Sequence, residues 1–218
     1  MKRIKRTQRQ KARRNLLLLL PLCTLLLLLS SQYLILTPRQ AIRWEECYAW
    51  TGETEIVTHF RTRYGSFYLS ANENALLVTP FHRGLRTAPH PNGSANVGWC
   101  GWSEASACDL TRQEGPVLAH LFTAQLPGPE APTVTQVYGR VDLEGACSIL
   151  GRNSADPSLP SRSQTLLRGK DGHLYFWFLT EGAEGNPGPV YTDFTVLDKD
   201  GNELFQYHLD TLHTFLYV

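Results

Sequence analysis

The feature that most restricts this chain is Leu16–Leu36, LLLLLPLCTLLLLLSSQYLIL, 21 residues without a charge. As one helix it would rise roughly 31 Å, about the thickness of a hydrocarbon core. Pro21 interrupts it, yet proline is tolerated in membrane helices better than in soluble ones. Before it, residues 1–15 carry eight positive charges (Lys2, Arg3, Lys5, Arg6, Arg9, Lys11, Arg13, Arg14) and no acid. Tyr33, and Trp44 beyond the run, are aromatics of the kind enriched at membrane interfaces. The pattern predicts a single transmembrane helix over 16–36.

A cleaved signal peptide has a similar layout. Here the basic arm is long for one, and no small-x-small site follows. A cut after Ser31 would put Leu29 at the −3 position, and a cut after Ala41 would put Arg39 there. Cys23, in Leu-Pro-Leu-Cys, lacks the small residue that precedes a lipidated cysteine. The segment therefore reads as an uncleaved signal anchor in a single-pass, type II protein. By the positive-inside rule the arm stays in the cytoplasm and residues 37–218 are exported. The expected location is a cell inner membrane, with the C-terminal domain periplasmic or otherwise extracytoplasmic.

The formal net charge of +1 conceals this division, because beyond the arm the chain holds 13 basic and 20 acidic residues. An acidic domain is a poor partner for nucleic acid or anionic lipid. The arm itself reads as a topology signal beside anionic headgroups. With 42% apolar and 11% aromatic residues, a disordered chain is excluded.

The exported part has four cysteines, an even number as a disulfide framework needs. The favoured pairing is Cys100–Cys108 with Cys47–Cys147, two other pairings being open. No Cys-x-x-Cys exists, so a zinc or redox site is disfavoured and no metal or cofactor is expected.

Thr37-Pro38-Arg39-Gln40 is a helix start, with a capping threonine, proline at the first helical position and glutamine three residues after the cap. Ala41, Trp44 and Tyr48 recur at i, i+3 and i+7, predicting a short amphipathic helix over 38–50. The period then changes to two. Glu55–Arg61, Ser66–Ser70 and Ala75–Thr79 predict a three-stranded meander. Pro116–Thr123, Val134–Val141 and Ala146–Leu150 are further strands, and Leu212–Val218 adds a last one. Two hairpins are expected at Asp171-Gly172 and Asp200-Gly201, between strands 164–169 and 173–180 and between 190–197 and 203–209, with type I′ turns. His173–Thr180 is apolar on both faces and should be a central strand. Residues 80–115 and 151–163 read as irregular.

The expected fold is mainly β: an N-terminal transmembrane helix, then an antiparallel β-sandwich or barrel-like domain with one short helix. Its segments are 1–15 (basic arm), 16–36 (anchor), 37–50 (juxtamembrane helix) and 51–218 (exported all-β domain).

Gly98-Trp99-Cys100-Gly101-Trp102 is the most distinctive cluster. Trp99 and Trp102 on a stapled loop would stack on a sugar or anchor a partner, unless they simply plug the sheet. His82 and His90 share the 80–115 stretch and are the candidate acid–base groups of an enzyme, although their spacing matches no ligand motif. Asp198–Glu203 resembles a calcium loop, but its glycine is fourth rather than sixth and strands flank it. No nucleophile elbow, zinc helix or phosphate loop is present. The sequence therefore points to a non-enzymatic, membrane-tethered module whose partner is another envelope or membrane protein. The alternatives are a glycan- or lipid-binding domain and an enzyme with its site in the 80–115 stretch.

Overall fold

A computed structural model describes residues 8–30, 37–62, 65–81, 85–89, 95–99, 106–125, 133–156, 158–182 and 188–210. The chain divides into two compact units, residues 1–36 with 83–100, and residues 37–82 with 101–218.

In the first unit, helix α1 covers Gln8–Ser30 and contains Pro21. It begins inside the basic arm, with Arg9, Lys11, Arg13 and Arg14 in its opening turns. The charge-free run within it is Asn15–Ser30, roughly 24 Å of helix against ~30 Å of hydrocarbon core. Among the described residues no helix is long and apolar enough to cross a membrane, so the span expected over 16–36 is not found there. Residues 31–36 lie outside the described residues.

The second unit opens with α2, Pro38–Tyr48, and the expected capping box is formed. Thr37 Oγ1 accepts from the Gln40 N–H, and Gln40 Oε1 accepts from the Thr37 N–H at 3.0 Å. The apolar stripe is not where the periodicity places it. Ala41, Ile42, Glu45 and Glu46 are buried, whereas Tyr48 is exposed. Glu46 sets this rotation. Its Oε1 accepts from the Thr54 N–H (2.6 Å), from Thr54 Oγ1 (2.7 Å) and from Arg39 Nη1 (3.2 Å). Arg39 Nη1 also donates to the Thr54 carbonyl at 2.6 Å. A buried carboxylate is tolerated when it is paired and hydrogen-bonded in this way.

The helix ends with the Thr51 N–H on the Glu46 carbonyl at 3.1 Å, and Trp50 has φ 56°. This is the six-to-one bond of a Schellman motif, whose left-handed position usually belongs to glycine. A side chain there costs about 1–2 kcal/mol.

Strands β1 (Glu55–Thr62), β2 (Gly65–Ala71) and β3 (Ala75–Phe81) form the expected meander. The stretch 80–115 is not one long loop. It holds the paired strands β4 (Leu85–Pro89) and β5 (Ala95–Trp99), which belong to the first unit, and β6 (Ser106–Asp109), which joins β3. A 3-10 turn at Leu110–Arg112 leads on to β7 (Val117–Gln125), β8 (Thr133–Val141) and β9 (Ser148–Arg152). Then come β10 (Arg162–Thr165), β11 (Leu167–Arg168), β12 (Leu174–Glu181), β13 (Asp193–Leu197) and β14 (Glu203–His208).

Three antiparallel four-stranded sheets result among the described residues, ordered β1-β2-β3-β6, β11-β12-β8-β7 and β10-β9-β13-β14. Neither a two-sheet sandwich nor a barrel describes them, because the middle sheet is covered on both faces. Tyr138, Tyr175 and Trp177 join Phe67, Leu69, Leu76 and Val78 of the first sheet in one core. Val137, Val141, Phe176 and Phe178 join Ile149, Phe194 and Val196 of the third sheet in the other. This is the doubly covered strand that the apolar run 174–179 calls for. The first sheet's β3 is likewise buried at every position, with α2 on its outer side.

The hairpins differ from expectation in two ways. Leu167 and Arg168 pair with β12, but β10 pairs with β9 of the third sheet, so the expected strand 164–169 breaks in two. Leu166 marks the crossing, buried and with its N–H on the Cys147 carbonyl. The turns are also not type I′, which needs two positive φ values. Only Gly172 (88°) and Gly201 (82°) are positive, with no such angle at Asp171 or Asp200. Each is a type I turn closed by a left-handed glycine, with the Gly172 N–H on the Gly169 carbonyl and the Gly201 N–H on the Asp198 carbonyl.

Neither expected disulfide is formed: Cys47, Cys108 and Cys147 are free thiols, and Cys100 lies outside the described residues. Cys47 lies on α2, against the first sheet, whereas Cys147 precedes β9 in the third. The doubly covered middle sheet separates them. Cys108 is buried among the side chains of the first core.

Candidate functional site

Of the residues the sequence singles out, His82, His90, Cys100 and Trp102 lie outside the described residues. Trp99 closes β5, with its backbone opposite Leu85. The chemistry that the described residues bring together lies elsewhere.

A largely buried group of titratable side chains forms where β6, an edge of the first sheet, meets β7, an edge of the middle one. Ser106 and Cys108 alternate with exposed residues along β6, so both point inward. Ser106 Oγ lies 3.1 Å from His120 Nε2. His120 stands directly across from Tyr138 on β8, its ring edge-on at 5.5 Å. Burial pushes the Cys108 thiol up to about 12, the Asp109 charge adding to it and Arg140 opposing. Burial also raises the Tyr138 phenol well above its ordinary value, with Cys108 in the same sense and Ser106 against. Burial lowers the His120 imidazole, which is therefore neutral at pH 7.

A neutral histidine on a hydroxyl is the first half of a nucleophilic pair. The second half, a group orienting the other ring nitrogen, is not supplied by any carboxylate among the described residues. Cys108, held as a thiol, is a small apolar core residue rather than a nucleophile. What this arrangement does is pair Ser106 with His120, while Tyr138 Oη stays buried without a hydrogen-bond partner among the described residues.

It also makes stability depend on pH. The unfolded chain takes up a proton on His120 as pH falls through about 6.5, while the folded chain resists protonation to lower pH. Stability from this residue is thus present above that value and lost as pH falls through the folded pKa. Urea midpoints measured between about pH 7 and pH 5 should fall more steeply for the wild type than for His120→Gln. Equal slopes would show that the ring is not held neutral.

Two further histidines meet carboxylates at hairpin ends. His173 Nδ1 lies 2.8 Å from Asp142 Oδ1, whose Oδ2 takes Arg140 Nε at 2.9 Å. The adjoining Asp171 accepts from Tyr175 Oη at 2.5 Å and from the His173 N–H. Burial, then that carboxylate, raises the Tyr175 phenol. His208 faces Asp193 across the β13–β14 pair at 2.7 Å. Desolvation of Asp193 is outweighed by hydrogen bonds from His208, Thr192 and Ser154, which hold it below the usual carboxylate range. The calcium-like stretch is a turn, as expected. Asp198 takes the Asp200 and Asn202 N–H groups and Asn202 Nδ2, which together lower its pKa. Among the described residues no cluster of histidine, cysteine and acidic side chains has metal-binding geometry.

These pairs escaped sequence reasoning because their members lie 14 to 31 residues apart, two of them joined by strand pairing and Ser106–His120 by the packing of one sheet against another.

No protein-family model, no curated protein and no solved structure matches the chain. Function must therefore be argued from its own residues.

Proposed function

We propose that this protein is a membrane-tethered, extracytoplasmic interaction module without a catalytic role, held through Leu16–Leu36. The observation that carries the proposal is the outer surface of α1. Leu16, Leu17, Leu18, Leu19, Leu20, Leu22, Leu25 and Leu26 are each more than half exposed. Eight such leucines on one short helix are an apolar surface far larger than a soluble monomer usually leaves uncovered. The charge-free stretch continues to Leu36 in the sequence, and the arm of eight positive charges before it favours a cytoplasmic N-terminus. Three of the described histidines support a structural account, since His120, His173 and His208 each hold strands or turns together.

The test is extraction of native membranes with alkaline carbonate, followed by cross-linking. The full chain should stay in the pellet and give a discrete cross-linked partner. Leu18→Arg with Leu25→Arg should move it to the supernatant, because a central arginine raises the insertion cost by about 3 kcal/mol. Release of the wild type by carbonate would overturn the tether, and a clean monomer after cross-linking would overturn the interaction role.

A further inference from the structure

Helix α2 keeps Ala41 and Ile42 in the core but departs from an ordinary surface helix in two ways. It buries two glutamates and turns aromatic side chains outward. Its outward positions are Arg43, Trp44, Cys47 and Tyr48, of which Trp44 is partly exposed and the others exposed. Trp50 continues this face beyond the helix end. It is 93% exposed, and Tyr48 is 79% exposed.

Trp50 is the sharper anomaly. A bulky residue in left-handed backbone is a genuine outlier, and an outlier motivates a hypothesis of function. Among the described residues no packing compensates for it, since the indole is almost fully exposed. Glycine would serve the turn better.

We infer that the outward face of α2 and the turn after it rest in the headgroup–acyl boundary of the bilayer, with Trp50 and Tyr48 as the inserted groups. This rests on the tether reading above. Three observations point to a lipid surface, the last two separating it from a protein partner. The composition is one: tryptophan and tyrosine are enriched at membrane interfaces, and an exposed arginine suits lipid phosphate. Arg43 retains 66% exposure, with only a 3.9 Å approach to Glu53. Position is the second, because at most roughly 7 Å of extended chain separates Leu36 from Pro38. The third is dimension. An upright α2, 11 residues long, would carry Trp50 roughly 16 Å farther out, beyond an interface ~5–8 Å thick. A helix lying along the surface keeps Arg43, Tyr48 and Trp50 within it.

The test uses the full chain reconstituted into vesicles of phosphatidylcholine and phosphatidylglycerol, with and without brominated acyl chains. Flotation reports the tether, and quenching of tryptophan emission reports depth. The wild type should float and be quenched. Trp50→Phe and Trp50→Gly should float equally but lose the share of quenching that Trp50 contributes. Trp50→Gly should also melt at the same or a higher temperature, since glycine relieves the left-handed backbone. A wild type that floats while both variants keep its full quenching would overturn the inference and leave the tether intact. Trp50 unquenched in vesicles yet cross-linked to a protein in native membranes would overturn it in favour of a protein partner. Failure of the wild type to float would overturn both.

Discussion

Replacing Trp177 by alanine is expected to lower the melting temperature by about 10 °C, the loss of about 3–5 kcal/mol that removing a buried aromatic entails. Trp177 sits on the doubly covered strand β12 and is 1% exposed. Phe60 meets it edge-on at 4.6 Å and Phe67 at 6.2 Å, so two strands of the first sheet close over its ring. Its indole N–H donates to Gln136 Oε1 at 2.9 Å. Gln136 is itself fully buried, and its Nε2 has no partner among the described residues. The alanine variant therefore leaves a cavity and a buried amide without its one bond. Trp177→Phe fills part of the cavity and should lose less. Thermal melts of the two variants check this, and an alanine variant within 2–3 °C of wild type, under about 1 kcal/mol, would mean that the middle sheet is not enclosed.

Gly139→Ala should be comparably damaging for a different reason. Gly139 lies on β8, between Ala119 of β7 and Phe176 of β12. A methyl group there would overlap the Leu118 carbonyl oxygen and reach within 2.8 Å of the Phe176 ring. A ring can turn, but a carbonyl in a paired strand cannot move without breaking the ladder. Overpacking at such a site costs about 3 kcal/mol or more. Gly115→Ala is the control, since nothing lies within 4 Å of its added methyl. Denaturant midpoints should fall for the first and stay constant for the second. Equal midpoints would mean that β7 and β12 do not flank β8 as described.

What the sequence discloses here is what neighbouring residues decide. The cap at Thr37 and Gln40 acts over three residues, and the glycine turns at 172 and 201 over four, so both are legible. The meander β1-β2-β3 pairs consecutive strands and is legible too. The transfer of β10 to β9 is not, because no turn residue separates Thr165 from Leu167 to mark a break. Only the packing of Leu166 between sheets sends the chain across. The orientation of α2 escaped for a related reason. Periodicity counts Trp44 and Tyr48 as apolar, whereas the fold buries Glu46 because Thr54 and Arg39 are there to satisfy it. The disulfides expected from the sequence are not formed. Cysteine number suggested bridges, but pairing depends on which sheets the cysteines occupy, and Cys47 and Cys147 are placed by different ones. Apolarity over Leu16–Leu36 was plain, while the start of the helix at Gln8, within the charged arm, was not.

The central claim is that residues 16–36 tether an acidic β domain on the far side of a membrane from its basic arm. A reporter enzyme that is active only outside the cytoplasm, fused after Val218 of the full chain, tests it most directly. The account predicts activity from the fusion, and its loss when Leu18→Arg and Leu25→Arg are introduced. A silent wild-type fusion, with the reporter full-length but retained in the cytoplasm, would contradict the account.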